Sequence, residues 1–167
     1  MYLYEHKLKT QKPQQMIKIT NSVREDLQKS GIKEGIAVIF STHTTAGFTI
    51  NENADPDVLH DMLYGFEKNF PTEDMKYRHL EGNSHAHIKT TICGPSQTLI
   101  IHEGDILFGI WQDLYFCDFD GPRNRTYYVK IIEGYEIHPG KREVKMKNLD
   151  AYLKEQFRLC REIDYIT

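Results

Sequence analysis

Residues 93–133 read CGPSQTLIIHEGDILFGIWQDLYFCDFDGPRNRTYYVKIIE. Three turn signals punctuate this stretch: Cys93-Gly94-Pro95, Glu103-Gly104-Asp105 and Asp120-Gly121-Pro122. Around them lie apolar, β-branched and aromatic runs at 97–101, 106–110, 111–119 and 126–133, each of strand length. Upstream, Gly35-Ile36-Ala37-Val38-Ile39-Phe40 is a short, continuous apolar run, which predicts a buried strand. Tyr2 to Leu8 alternates loosely and reads as an edge strand, Met16 to Ile19 as a second strand, and 86–92 as a further one. Two helices interrupt the strands. One spans about 21–30, with Ser22 and Glu25 at capping-box spacing and Gly31 as its stop. The other spans about 56–69, with Asp55 as cap and Pro56 at its first position. Leu59, Met62, Leu63, Phe66 and Phe70 form its apolar stripe. Strands flanking two helices predict an α+β domain over 1–134, an antiparallel-rich sheet packed by helices, and not a doubly wound fold.

The rest of the chain differs. Residues 134–147 include the basic run KREVKMK and read as a linker. Leu149, Tyr152, Leu153, Phe157, Cys160 and Ile163 then recur at helical spacing, which predicts an amphipathic C-terminal helix over about 148–163. The predicted division is therefore 1–134 and 135–167.

Composition excludes several classes. The 167 residues carry 21 Lys plus Arg against 24 Asp plus Glu, a formal net charge of −3. That balance gives no global reason to bind nucleic acid. No apolar run approaches a membrane span, and the opening MYLYEHKLKT lacks the apolar core of a secretory leader. Cys93, Cys117 and Cys160 fit neither a disulfide framework nor a CxxC motif. A reducing cytoplasm is the expected compartment.

Six of the eight histidines lie between 43 and 102. A lone histidine is more often a surface or core residue than a ligand, so position must decide. His43 directly follows the 36–40 strand, in Ser41-Thr42-His43-Thr44-Thr45, where a rigid scaffold presents functional groups. His85 and His87, two apart, would share one face of a strand and one metal. The Glu that a cupin-type site expects is missing from 88–93. Arg123 and Arg125 follow a Gly-Pro turn, and their forks suit phosphate or carboxylate; Thr44 and Thr45 could donate to the same anion. Glu52 and Asp61 are candidate general bases. No P-loop, GxGxxG, GxSxG or HExxH pattern occurs.

Taken in order, these motifs resemble one family: His43-Thr44-Thr45-Ala46, Asn51-Glu52-Asn53, Asp61, Tyr77-Arg78-His79, Asn83 to His87, Gly109-Ile110-Trp111-Gln112, and Phe119-Asp120-Gly121-Pro122-Arg123-Asn124-Arg125. The chain resembles the YjbQ family, of secondary thiamine-phosphate synthase type, from about residue 3 to Gly134. The resemblance implies a cytoplasmic homotrimer with a histidine-lined site that takes a divalent metal such as zinc. It implies His43, His79 and His87 as ligands, with Glu52, Asp61 and Gln112 as catalytic neighbours. Thr44, Thr45, Asp120, Arg123 and Arg125 would contact a phosphorylated small-molecule substrate. The implied reaction joins a pyrimidine diphosphate to a thiazole phosphate with loss of pyrophosphate. A metallohydrolase and a non-catalytic metal- or ligand-binding trimer are the alternatives.

Overall fold

The structure, a computed structural model, describes residues 2–134. The predicted linker and C-terminal helix lie outside the described residues. Strand β7 (Gln112–Asp118) is the centre of the architecture. It pairs antiparallel with β2 (Gln15–Lys18) on one side and β4 (Ala46–Glu52) on the other. A second antiparallel sheet runs in the order β1 (Tyr2–Lys9), β8 (Asn124–Glu133), β3 (Gly35–Ser41), β5 (Ser96–His102), β6 (Asp105–Ile106). The α+β class and the antiparallel pairing are as the sequence predicts, and β1 is an edge strand. The β5–β6 hairpin closes through Glu103 and Gly104, both at positive φ (52° and 84°). That is the geometry two-residue hairpin turns favour.

Alternation along β7 creates two cores. Leu114 and Phe116 face one way and join Phe48, Ile39, Ile101, Tyr127, Val129 and Ile131, with Val23 and Leu27 of α1 (Thr20–Ser30). Tyr115 and Cys117 face the other way, and with Phe119 and Ala86 they meet Leu59, Leu63 and Phe66 of α2 (Pro56–Asn69). The α2 stripe is half-buried rather than sealed, and Asp55 caps its start by accepting from the Asp57 amide at 2.9 Å.

Several local expectations are corrected. The predicted strand 86–92 is helix α3 (Ser84–Cys93). Its buried stripe is His85, Ala86, Lys89 and Thr90, one helical face made almost wholly of polar residues. Strand β4 occupies residues to which the sequence reading assigns no strand. β6 (Asp105–Ile106) covers only Ile106 of the run predicted at 106–110. The capping box at α1 does not form, because Ile19 holds the cap position with no side-chain cap bond. Thr20 Oγ1 instead accepts from the Leu114 amide at 2.8 Å and ties the helix start to β7. Gly31 does end α1, at φ 69°. β3 is buried on one face only: Ala37, Ile39 and Ser41 point inward, while Ile36 and Phe40 are 37% and 46% exposed.

One polar pin joins α2 to α3. The fully buried Lys89 ammonium donates to Glu67 Oε2 at 2.8 Å and to Gln14 Oε1 at 2.9 Å. Burial works against the Glu67 charge, but hydrogen bonds from Lys89, the Thr72 amide and Gln14, with the Lys89 charge, hold its pKa at about 2 instead of 4.5. A carboxylate depressed on folding contributes stability that is complete above its unfolded pKa and is lost as pH falls through the folded one. The pin should therefore weaken between about pH 4.5 and about pH 2. Glu67→Gln should remove that part of the acid unfolding profile followed by circular dichroism; an unaltered profile would show that the pin carries no pH dependence. Because Glu67 is 42% exposed, solvent screening keeps the effect modest.

Candidate functional site

The helical form of α3 decides which histidines can meet. Residues two apart on a helix point to nearly opposite sides, so His85 and His87 cannot hold one metal as a strand would allow. His85 turns inward, 7% exposed, with no partner for Nδ1. Burial first, then the Lys89 charge, lowers its pKa, so it stays neutral. His87 turns outward and meets His79 from the loop before α3. Their rings stand edge to face with centroids 5.2 Å apart.

His87 lies between two surface cavities. One, of about 580 Å³, is lined by Lys76, Tyr77, Arg78, His79, Ser84, His87 and Ile88. The other, of about 720 Å³, is lined by Phe40, Ser41, Thr42, His43, Thr44, His87, Thr90, Thr91 and Pro95. The first combines two cations with two imidazoles. The second is rimmed by hydroxyls.

His43 lines the second cavity but is not free to ligate through Nε2, which accepts the Thr126 amide at 2.9 Å. A neutral ring that accepts at Nε2 carries its proton on Nδ1. Burial, and then the Arg125 charge, lower the His43 pKa, with Asp118 opposing in part. His43 therefore presents an N–H donor, where the resemblance implies a metal ligand.

The arginines also differ from expectation. Arg125 is 5% exposed, and its fork is spent on the fully buried Asp118 through Nε and Nη2. Nη2 also donates to Thr45 Oγ1 at 3.0 Å, and Thr10 Oγ1 donates to Asp118 Oδ2 at 2.7 Å. Arg125 and Thr45 thus anchor the His43 loop and do not face an anion. Arg123 is exposed and paired with Asp120 at 3.0 Å, while Asp120 also accepts from Asn83 Nδ2 at 3.1 Å at the start of α3. Thr44 alone of the threonine pair borders a cavity.

The remaining candidates lie elsewhere. Glu52 and Gln112 are cross-strand partners at one end of the β4–β7 pair, and Ala46 with Asp118 marks the other. Six residue steps of strand separate those ends, roughly 20 Å. The Gln112 side chain accepts from the Gly109 amide at 2.8 Å. Asp61 is exposed on α2 beside His60. None of the three lines either cavity. Lys76, Arg78, Ser84, Thr90 and Thr91 are the cavity residues that sequence reasoning missed; Arg78 lay inside the Tyr77-Arg78-His79 motif.

The fit of a metal can be tested on the rings. Zinc sits about 2.0–2.1 Å from an imidazole nitrogen, so two histidines at a tetrahedral angle bring their ring centroids to roughly 5 Å. The His79–His87 spacing of 5.2 Å fits two such ligands. The full trio does not fit, since His43 is engaged. Among the described residues no group of three or more His, Cys, Asp or Glu converges on one point.

Comparison with known proteins agrees with this architecture. The family of UPF0047 YjbQ-like proteins matches residues 4–134. UPF0047 protein YugU of Bacillus subtilis is 51% identical over 125 residues, covering 75% of this chain and 95% of the relative. UPF0047 protein MJ1081 of Methanocaldococcus jannaschii is 48% identical, covering 78% and 94%. A crystal structure of a YjbQ/UPF0047 protein from Clostridium acetobutylicum superposes with a TM-score of 0.76 at 53% identity, over 77% of this chain and 99% of that one. A YbjQ-like protein of Sulfolobus solfataricus gives the same TM-score at 29% identity, over 80% and 97%. With residues 4–134 matched throughout, and the same fold kept in a relative at 29% identity, the chain belongs to the YjbQ/UPF0047 family.

Proposed function

We propose that the protein is a metal-dependent enzyme acting on a phosphorylated small molecule at the His79–His87 pair, with thiamine-phosphate synthase-like transfer as its reaction. The observation that carries this reading is the placement of His87 between a cavity holding Lys76 and Arg78 and one holding His43 and the threonines. Lys76 and Arg78 supply fixed positive charge for phosphate oxygens, and Arg78 adds a planar fork. The His43 Nδ1–H and the hydroxyls of Thr44, Thr90 and Thr91 supply neutral donors. His79 and His87 would hold a divalent cation such as zinc, which supplies Lewis-acid charge to a phosphoryl oxygen when bound. A leaving pyrophosphate would be stabilised by these groups.

The test mixes zinc-loaded protein with hydroxymethylpyrimidine diphosphate and thiazole phosphate and follows thiamine phosphate and pyrophosphate. The reading expects both products to form together and chelation to stop them. Hydrolysis of the diphosphate alone would favour a metallohydrolase. One observation favours the non-catalytic binder: Glu52 and Asp61 line neither cavity, and the carboxylate beside the pair is instead the exposed Glu81, whose Oε2 stands 3.8 Å from His79 Nε2. Binding of the phosphates without product would establish that alternative.

A homotrimer belongs to the same proposal. Ile36 is the cross-strand neighbour of both Ile100 and Ile132 on the outer sheet face. Those two residues, with Leu3 and Phe40, put exposed apolar side chains on that face. Such a patch favours association of copies. Phe40→Asp with Ile100→Asp should convert the trimer to monomer by light scattering after size exclusion; a monomeric parent would end the trimer proposal.

A further inference from the structure

We propose that Cys93 and Cys117 form a two-electron redox site, where a hydroperoxide converts the two thiols into a disulfide. Cys93 is the last residue of α3 and Cys117 lies within β7. Cys93 packs against the cluster that contains Cys117. The backbone holds it there: Phe48 N donates to the Gly94 carbonyl at 3.0 Å. Gly47 is the cross-strand partner of Cys117, and a methyl at Gly47 would stand 3.6 Å from Cys93 Cβ and 2.3 Å from Gly94 O. Only glycine lets the end of α3 settle this closely over the strand pair.

The two sulfurs have unequal roles. Cys93 is partly exposed and Cys117 fully buried. The Cys117 thiol donates to the Tyr115 carbonyl at 3.8 Å, and its nearness to Cys93 draws the Cys93 pKa below its ordinary value against the effect of burial. The neighbouring Cys93, with burial, pushes Cys117 well up. Cys93 is therefore the attacking sulfur and Cys117 the resolving one. Its place at the negative end of the α3 dipole opposes the thiolate, so oxidation is slower than at a dedicated peroxidatic cysteine.

In the first step the Cys93 thiolate attacks one hydroperoxide oxygen. The O–O bond breaks, and the departing alkoxide or hydroxide takes up the proton that Cys93 lost. Cys93 is left as a sulfenic acid. Cys117 then attacks that sulfur, the S–S bond forms, and hydroxide leaves with the Cys117 proton as water. The protein has lost two electrons and two protons, and the hydroperoxide has become alcohol or water. The crosslink fastens to β7 the helix that carries His87, Thr90 and Thr91. The site stands apart from any turnover at the histidine pair.

The experiment uses the full chain with Cys160→Ser, treated with hydrogen peroxide, denatured, alkylated and mapped by peptide mass spectrometry. A Cys93–Cys117 crosslinked peptide that dithiothreitol reverses is expected, with both thiols lost together. Adding Cys117→Ala should trap Cys93 as a dimedone-labelled sulfenic acid. The parent mapping stands even if that variant fails to fold. Thiols that stay fully alkylatable, or oxidation of Cys93 to sulfinic acid in the parent without a crosslink, would overturn the proposal.

Discussion

Asp118→Ala should destabilise the domain by about 3–5 kcal/mol, the cost of leaving a buried charge without its partner. Asp118 is fully buried and Arg125 is 5% exposed. Removing the carboxylate strands the guanidinium and also deprives Thr10 of its acceptor. The damage should spread to the His43 loop, because Arg125 also donates to Thr45. Arg125→Lys keeps the charge but cannot make the two-point contact, so it should lose a large part of the same stability. Replacing both partners by apolar residues of similar size should cost far less than either single change. Chemical denaturation of the three variants checks this. A loss below ~1 kcal/mol for Asp118→Ala, the range of surface pairs, would mean that the pair is solvated.

The second large effect is expected at His87. Changing a residue that merely supports a metal ligand typically costs 10–100-fold in affinity or activity, so removing a ligand shared by both cavities should cost more than about 100-fold. His87→Ala should therefore abolish phosphate-ligand binding and any turnover. It should leave stability nearly unchanged, since the side chain faces outward from α3. Arg123→Lys should leave binding close to the parent, because Arg123 is paired with Asp120 and borders neither cavity. Calorimetric titration with pyrophosphate in the presence of zinc separates the two. Equal binding by His87→Ala and parent would remove the site.

The sequence was most informative where apolar patterning carries the structure. The strands around Leu99, Phe116 and Val129, and helix α2 behind Asp55-Pro56, follow from period and turn chemistry alone. It misled where burial is polar. The inward face of α3 is His85, Lys89 and Thr90, so hydropathy showed no helical stripe, and His-Ala-His-Ile resembled an alternating strand. Strand β4 was hidden by Gly47, Thr49 and Asn51, which pair with β7 but break any apolar run. At the site, the motifs that carry His43, His79 and His87 were legible, but the histidines' roles were not. Only the fold shows that the Thr126 amide claims His43 Nε2. Likewise Arg125 has the residue type of an anion ligand, and only the neighbouring strand supplies the carboxylate that occupies it. Glu52 and Gln112 were grouped with the histidines by motif order, which carries no information about the length of β4 between them.

In the proposed site the functional centre is the His79–His87 pair, with His43 a donor beside it and not a ligand. The most direct measurement is zinc content and affinity of the parent, His79→Ala, His87→Ala and His43→Ala, each first shown to be folded. The account predicts that the parent and His43→Ala bind zinc alike, while His79→Ala and His87→Ala lose it. Loss of zinc in His43→Ala as complete as in His87→Ala would contradict the account and restore a three-histidine centre.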